Sequence, residues 1–197
     1  MEAVDVKAAI ERRRATRSLA PIEVTDELVE DLASVARLAP SCANKQPWRF
    51  VFASDPAVLE RLFESLTPGN AWVRKASLVV AVLSKREMDC VIGSRLYYLF
   101  DVGMATAFLI LRATELGLIA HPIAGFDPER AKEALGVPED WELVTLVNVG
   151  AKAAEINPNL SEPMKLGEIQ RPPRLPLEKI YSKDGFDERL ARQPANE

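Results

Sequence analysis

An arginine cluster near the amino terminus is the strongest charged feature of the sequence. Residues 12–14 read Arg-Arg-Arg, and Arg17 follows three positions later. If the segment were helical, Arg13 and Arg17 would share a face, as would Arg14 and Arg17. Cations at a helix end can simply be solvated, but so many guanidinium groups repel one another unless an anion lies among them. A phosphate ester would suit them, because guanidinium groups hold phosphate through charge-assisted hydrogen bonds.

A second candidate segment is the loop APSCANKQPWRF, residues 39–50. Ser41, Asn44 and Gln46 offer hydroxyl and amide groups that carry no titratable charge. Such groups suit the edge of a neutral heterocycle with fixed donors and acceptors. Alternatively, they only cap the backbone of their own loop.

Two further stretches could bring backbone or charge to a ligand. The segment His121–Asp127 has the form of a tight turn between a strand and a helix, in which Pro122 and Gly125 would allow close approach of backbone to a ligand. Arg171 and Arg174 lie in the proline-stiffened stretch QRPPRLP. They are either scattered surface charges or a second pair of guanidinium groups for the same anion.

The cysteines and the single histidine limit other kinds of chemistry. Cys42 and Cys90 suggest no disulfide framework and a reducing compartment. Together with the single His121 they do not match the ligand spacing of a zinc site, so no metal site is expected. A Cys42–His121 catalytic pair in a phospholigand-binding or hydrolytic protein stays open as an alternative. The chain carries neither a GxGxxG fingerprint nor a P-loop.

Composition favours a globular cytoplasmic protein. The 197 residues suit one domain, and 48% apolar with 27% charged residues is an ordinary globular balance. A net charge of −4 argues against nucleic acid as the main partner. The amino-terminal residues lack a signal-peptide core, and the most apolar run, 96–111, is too short and contains Asp101. We therefore expect no membrane association and a cytoplasmic location.

Hydrophobic periodicity places these segments on an α+β framework with a central mixed or antiparallel sheet. Helical spacing and caps predict helices over 3–14, from the N-cap Thr25 to Ala39, from Asp55 to near Pro68, over 94–116 and from Asp127 to Gly136. Continuous β-branched runs predict strands over 48–53, 77–83 and 142–150.

The helix over 94–116 and the carboxy-terminal stretch point to a second subunit. The helix is apolar almost all round, so it must be buried on every side, which indicates packing against another chain. Beyond residue 150 the prolines concentrate and no periodic pattern continues. We predict a core over 1–150 and a proline-rich extended arm over 151–197.

Together these stretches resemble the FMN-dependent nitroreductase family. The segment RRRATR stands where the family has a basic phosphate-binding segment, and APSCANKQPWRF is similar to its Pro-Ser-x-x-Asn-x-Gln-Pro-Trp loop. The segment GLIAHPIAGFD resembles its Gly-Leu…Pro-x-x-Gly-Phe-Asp segment, and RPPRLPLEKI its arginine-bearing end. The four motifs occur in the family's order between residues 12 and 180.

The resemblance implies a fold, a cofactor and a set of site residues. The fold would be an intertwined α+β homodimer, completed by the arm, with two FMN sites at the subunit interface. Guanidinium groups would hold the FMN phosphate and ribityl chain, the loop at 40–46 would line the isoalloxazine, and the Ala124 N–H would point at flavin N5. The implied cofactor-binding residues are Arg13, Arg14, Ala15, Arg17, Pro40, Ser41, Cys42, Asn44, Gln46, Asn70, Pro122, Ile123, Ala124, Gly125, Arg171 and Arg174.

The implied activity needs no catalytic side chain, because the flavin carries the redox chemistry. NADH or NADPH would give a hydride to FMN, leave, and be replaced by an oxidised small molecule such as a nitroaromatic or a quinone. Ala15 stands where the family has a serine, which removes one hydroxyl near the phosphate. Two alternatives stay open: a flavin-binding module without turnover, and a dehalogenating or oxidative reaction on the same fold.

Overall fold

The computed structural model describes residues 5–191 as a layered arrangement of helices around one antiparallel sheet. The helices are α1 Val6–Arg12, α2 Asp26–Ala36, α3 Pro56–Phe63, α4 Tyr98–Glu115, α5 Pro128–Leu135 and α6 Glu162–Ile169. The strands are β1 Leu19–Ala20, β2 Arg49–Ala53, β3 Leu78–Ser84, β4 Val91–Ile92, β5 Arg95–Leu96, β6 Ile119–Ile123 and β7 Glu142–Lys152.

The long strand β7 organises the sheet. Along one edge it pairs with β3, which in turn pairs with β2. Along its other edge it pairs with β6, from Ile119↔Gly150 to Ile123↔Leu146, and its last residues pair with β1. Every one of these pairings is antiparallel. The predicted α+β class is confirmed, and of the two predicted kinds of sheet, mixed or antiparallel, the structure has the antiparallel one. Strands β4 and β5 form a separate hairpin.

Strand β3 is buried along its whole length because helices cover both faces of the sheet. Val79, Ala81 and Leu83 pack in the layer that contains α3 and α5. The alternate residues of the strand, Leu78 and Val80 among them, pack in the layer that contains α2 and α4. A strand apolar on both faces explains the continuous β-branched run in the sequence.

The helix caps predicted from sequence are present. Thr25 Oγ1 accepts a hydrogen bond from the Leu28 N–H at 3.2 Å at the start of α2. Asp55 and Asp127 each accept two backbone N–H groups at the starts of α3 and α5. Gly136 ends α5 in the left-handed region with φ of 66°. Local signals of this kind need no tertiary context, which is why they are readable.

Three element boundaries differ from the prediction. Helix α3 ends at Phe63 rather than near Pro68, and a 3₁₀ segment, Pro68–Lys75, follows. Helix α4 begins at Tyr98 rather than 94, because the β4–β5 hairpin turns at Gly93, with φ of 63°. Helix α1 ends at Arg12, and residues 3 and 4 of its predicted range lie outside the described residues.

The carboxy-terminal segment contains a helix where only an extended arm was predicted. Helix α6 has a proline in its first turn and Gly167 near its end, and these residues concealed the helical pattern. The division into a core over 1–150 and an arm over 151–197 stays a prediction.

Helix α4 is only half buried within one chain. Val102, Leu109 and its other inward residues pack on the sheet, but Leu99, Phe100 and Phe108 are 47%, 63% and 36% exposed. The predicted burial of α4 on every side is therefore not achieved by the chain itself.

Among the described residues, no helix combines the length and apolarity needed to cross a membrane.

Candidate functional site

The arginine segment is an extended stretch held by α6. The carboxylate of Glu168, which is 7% exposed, accepts the N–H groups of Arg17 at 2.7 Å and Ser18 at 3.0 Å. The Arg14 guanidinium donates to the Gly167 carbonyl at 2.8 Å. Because α1 ends at Arg12, the expectation that Arg13, Arg14 and Arg17 share a helix face is wrong. They are arranged by α6 instead.

Four guanidinium groups nevertheless lie close together at this segment, those of Arg13, Arg14, Arg171 and Arg174. Burial, followed by the charges of Arg171, Arg174 and Arg14, lowers the pKa of Arg13. Within residues 5–191, none of these four side chains, nor Arg17, lies within 4 Å of a carboxylate oxygen. The cluster therefore carries positive charge that the described protein does not pair, as an anion-binding site does.

Arg171 has a different role from the one expected of a free ligand. Its guanidinium donates to the carbonyl oxygens of Glu11 and Arg13, each at 2.6 Å. It thus fixes the backbone at the end of α1 and adds its charge to the cluster. Arg174 is exposed, and Ala15 is half-buried. Without a hydroxyl, Ala15 can offer a ligand only its backbone.

The loop at 40–46 is held in a strained conformation. Ala43, Asn44 and Gln46 have φ values of 50°, 55° and 50°, a region that L-residues rarely adopt. Ser41 Oγ accepts the Gln46 N–H at 2.9 Å, so the backbone-capping interpretation holds for Ser41. The Asn44 and Gln46 amides contact each other and stay exposed, as does Pro40. Strain of this kind is concentrated at functional sites.

The turn after β6 is set by a close contact with the 3₁₀ segment. The Gly125 carbonyl accepts from the Thr67 N–H, the Thr67 hydroxyl and the Asn70 amide at 2.9–3.1 Å. Pro122 and Ala124 are exposed, whereas Ile123 is buried in the core, so only its backbone can contact a ligand. The structure therefore brings Asn70 to the predicted turn, where it holds the backbone in place.

The arginine segment and the loop attach to opposite parts of α4. The Cys42 N–H donates to Asp101 Oδ2, in the first turn of α4. Arg12 and Arg14 share a cleft with Thr114 and Gly117, at its far end. Thr114 lies thirteen positions after Asp101 along the helix, or about 20 Å at 1.5 Å per residue. One chain thus presents the predicted site as two separate parts.

Cys42 and His121 do not form a catalytic pair. Cys42 is joined to Cys90 in a disulfide with a Cα–Cα distance of 6.0 Å, so the expectation of unpaired cysteines is wrong. The two lie 48 positions apart, and only tertiary packing of the loop beside the hairpin brings them together.

His121 is a buried residue of β6. Its Nδ1 lies 3.1 Å from the Thr16 carbonyl oxygen, and its ring packs 4.6 Å from the Trp72 ring between centroids. Burial lowers the pKa of His121 to about 4, with smaller effects from the Thr16 carbonyl and nearby charges. The neutral imidazole thus links the arginine segment to the strand that leads into the Gly125 turn.

Comparison with known proteins decides the family. The model described as the nitroreductase family matches residues 10–87 and 69–151. The chain belongs to the nitroreductase family. The arginine segment, the loop at 40–46 and the Gly125 turn all lie inside the matched residues, whereas α6 lies outside them.

Individual nitroreductase-family relatives and solved structures agree. The chain is 28% identical to a protein named NADH dehydrogenase from Thermus thermophilus, over 82% of this chain and 94% of that protein. A crystal structure described as an oxidoreductase containing FMN has a TM-score of 0.79 and 26% identity, over 94% and 93% of the two chains. A nitroreductase family protein from Clostridium difficile 630 has a TM-score of 0.72 and 23% identity, over 94% and 100%.

The sequence analysis did not predict Glu168, Thr67 and Trp72, which support the site residues. Glu168 binds the backbone of the arginine segment, Thr67 donates to the Gly125 carbonyl, and Trp72 contacts His121 and Asn70. Glu168 lies in a proline-rich stretch with no periodic pattern, and its partners are about 150 positions away. Thr67 and Trp72 lie in a 3₁₀ segment that carries no clear periodicity. None of the three had a local signal.

Substituting Gly125 by alanine should destabilise the turn. A Cβ at this position would overlap the Asn70 amide and lie 2.7 Å from Thr67 Oγ1. We expect the free energy of unfolding, measured by urea denaturation, to fall by about 1–3 kcal/mol. Gly69→Ala is the matched control, because a Cβ there meets nothing within 4 Å. Equal losses in both variants would contradict this account of the turn.

Buried His121 should make stability fall between about pH 6.5 and pH 4. In this range the unfolded imidazole binds a proton that the folded one, with its pKa of about 4, does not. The loss of stability begins as the pH falls below about 6.5 and reaches about 3 kcal/mol below pH 4, where both forms are protonated. The measurement is the unfolding free energy across this range for the parent and His121→Gln, with an NMR titration of the single histidine. Parallel curves would refute the assignment.

Proposed function

We propose that the protein is an FMN-dependent oxidoreductase that moves a hydride from NADH or NADPH to a small oxidised acceptor such as a nitroaromatic or a quinone. The carrying observation is the cluster of guanidinium groups that has no carboxylate partner within residues 5–191, on a segment joined to β6 through Thr16 and His121. Family membership supports the reaction class, and the names of the relatives add support, since one is a NADH dehydrogenase and one an FMN-containing oxidoreductase.

The residues present fit FMN. The unpaired positive charge of Arg13, Arg14, Arg17 and Arg174 matches a phosphate ester. Arg171 would act mainly on the backbone, because one of its terminal nitrogens already donates to two carbonyl oxygens. The exposed amides of Asn44 and Gln46 match the polar edge of a flavin ring, as the sequence predicted.

Bound FMN would supply the redox chemistry by accepting a hydride from the nicotinamide and passing it to the acceptor. The chain's own part is positioning. The exposed Ala124 can offer its backbone N–H to the ring, while the hydrogen bonds of Asn70 and Thr67 to Gly125 hold that backbone in place. Cys42 and Pro40 would line the ring through the loop, and Ile123 and Pro122 through the turn.

Two chains would be needed to complete each site. The arginine cluster and the loop at 40–46 attach to α4 about 20 Å apart, whereas a two-fold dimer packed along α4 can place one chain's loop beside its partner's cluster. The exposed Leu99, Phe100 and Phe108 surround Gly103 and Ala107 on this helix, which allows close helix packing. We therefore propose a homodimer through the exposed face of α4.

The carboxy-terminal segment would extend this interface. It leaves a set of large apolar side chains exposed, namely Leu175, Leu177, Ile180, Tyr181 and Phe186. Exposed apolar side chains in such number indicate a covering partner.

The cytoplasmic location stays a prediction. The Cys42–Cys90 disulfide removes the argument that unpaired cysteines indicate a reducing compartment.

Purified protein should be yellow and should release FMN on heat denaturation, identified by chromatography. The Arg13→Ala/Arg17→Ala variant should bind FMN at least about 100-fold more weakly, because charge-assisted hydrogen bonds contribute about 1.5–3 kcal/mol each. Flavin fluorescence titration measures the affinity, and far-UV circular dichroism checks that the fold is retained. Arg37→Ala is the control, since that arginine is exposed at the end of α2.

The outcomes of this experiment separate the alternatives. An unchanged FMN affinity in the double variant would refute the phosphate assignment. FMN binding without oxidation of NADH or NADPH by any acceptor would indicate a binding module. Turnover that requires a halogenated or reduced substrate instead would indicate another reaction on the same fold.

Phe100→Glu should convert the dimer to a monomer. The change places a charge on the most exposed aromatic of α4, where burial against a second chain would leave it unpaired. Sedimentation equilibrium should give about twice the mass of one chain for the parent and for Phe100→Leu, and the single-chain mass for Phe100→Glu. FMN affinity should fall with the dimer. A dimeric Phe100→Glu variant would contradict an interface on this face.

A further inference from the structure

Two buried carboxylates lie beside the Cys42–Cys90 disulfide. The Cys42 N–H donates to Asp101 Oδ2 at 2.6 Å, and the Cys90 N–H donates to Asp89 Oδ1 at 2.7 Å. Asp89 and Asp101 are 4% and 1% exposed. One carboxylate oxygen of Asp89 lies within 4.8 Å of both sulfur atoms. The disulfide is therefore accompanied by an acidic group close enough to act on either sulfur, directly or through one water.

Asp89 is suited to carry a proton. Its Oδ2 atom is fully buried and has no hydrogen-bond partner among the described residues. An ionised oxygen in that state would be costly. Burial raises the pKa of Asp89, the Cys90 N–H lowers it, the adjacent Asp101 carboxyl raises it, and Lys45 lowers it. Protonation of Asp89 avoids a buried charged oxygen without a partner and removes the repulsion between the two carboxyl groups.

The disulfide is accessible from solvent. Cys42 and Cys90 are half-buried, and the hairpin after Cys90, residues 91–96, is exposed throughout. A small thiol can approach from this side. Exchange with an external thiol requires such access, and its rate depends on how well the leaving sulfur is stabilised.

We propose that Cys42–Cys90 is a thiol–disulfide exchange site that reacts with dithiols, with Asp89 as the proton donor to the leaving sulfur. The thiolate of the dithiol attacks one sulfur and breaks the S–S bond. The electron pair passes to the other sulfur, which takes the proton of Asp89. The second thiol gives its proton to the Asp89 carboxylate and attacks the mixed disulfide, and the second cysteine sulfur takes a proton from solvent. The dithiol leaves as a disulfide, and the protein keeps two thiols.

Exchange at this position would act on the loop at 40–46. The disulfide joins the loop to the hairpin immediately before the strained residues Ala43, Asn44 and Gln46. Reduction removes this attachment and leaves the loop held only by non-covalent contacts. We therefore expect weaker FMN retention in the reduced protein. This consequence rests on the proposed FMN site, whereas the exchange chemistry does not.

The test follows the thiols of the full-length protein in dithiothreitol. Alkylation and mass measurement should show reversible conversion from none to two free cysteines. The reduction rate, divided by the concentration of dithiol thiolate, should fall as the pH is raised and Asp89 loses its proton. In Asp89→Asn this constant should be independent of pH and about tenfold lower at the acidic end. Glu87→Gln removes an exposed charge two residues away and should keep the parent profile.

Several results would overturn the proposal. The proposal is wrong if the disulfide of the folded protein stays intact in excess dithiothreitol. It is also wrong if the reduction rate of the parent protein, divided by the thiolate concentration, does not change with pH. This second measurement uses only the parent protein, so it does not depend on whether a variant folds. Stoichiometric Zn²⁺ in the purified protein, with thiols protected from alkylation, would identify a metal site instead. FMN retention is measured separately in both redox states. Equal retention refutes the effect on the loop alone, and absent FMN binding refutes the proposed function but not the thiol exchange.

Discussion

The hydrogen bonds from Arg17 and Ser18 to the Glu168 carboxylate are the contact on which the positive cluster depends. A buried carboxylate is stable only when its oxygens are satisfied, and here two backbone N–H groups satisfy them. The same contact joins α6 to the segment before β1. Without it, the segment that carries Arg13, Arg14 and Arg17 would lose its buried carboxylate contact with α6, and the positions of the guanidinium groups would be less well defined.

The sheet transmits this arrangement to the turn that follows β6. The arginine segment contacts His121 through the Thr16 carbonyl, and His121 packs on Trp72. Trp72 in turn donates to Asn70, which holds the Gly125 carbonyl. The arginine segment and the Gly125 turn are thus connected through closely packed, mostly buried side chains. A rigid support of this kind suits a site that must position a cofactor rather than donate protons.

The sequence predicted the elements whose signals are local. Thr25, Asp55 and Asp127 cap helices through contacts with residues two or three positions away, and the β3 run reflects burial on both faces of the sheet. Ordered motifs predicted the site as a set of residues. The sequence could not show how they are held, because Glu168, Asp101 and the Cys42–Cys90 disulfide act across 48 to 151 positions. Such contacts have no periodicity to read.

The wide sequence separation of the Glu168 contact has a consequence for the order of folding. Arg17 and Glu168 lie 151 positions apart, so their contact closes one of the longest loops in the chain. Loops of this length close late, after the local helices and the central strands have formed. On the ribosome, the arginine segment is made before Glu168 and must wait until α6 has emerged. A nascent chain therefore assembles its positive cluster only after the strands of the sheet have been made.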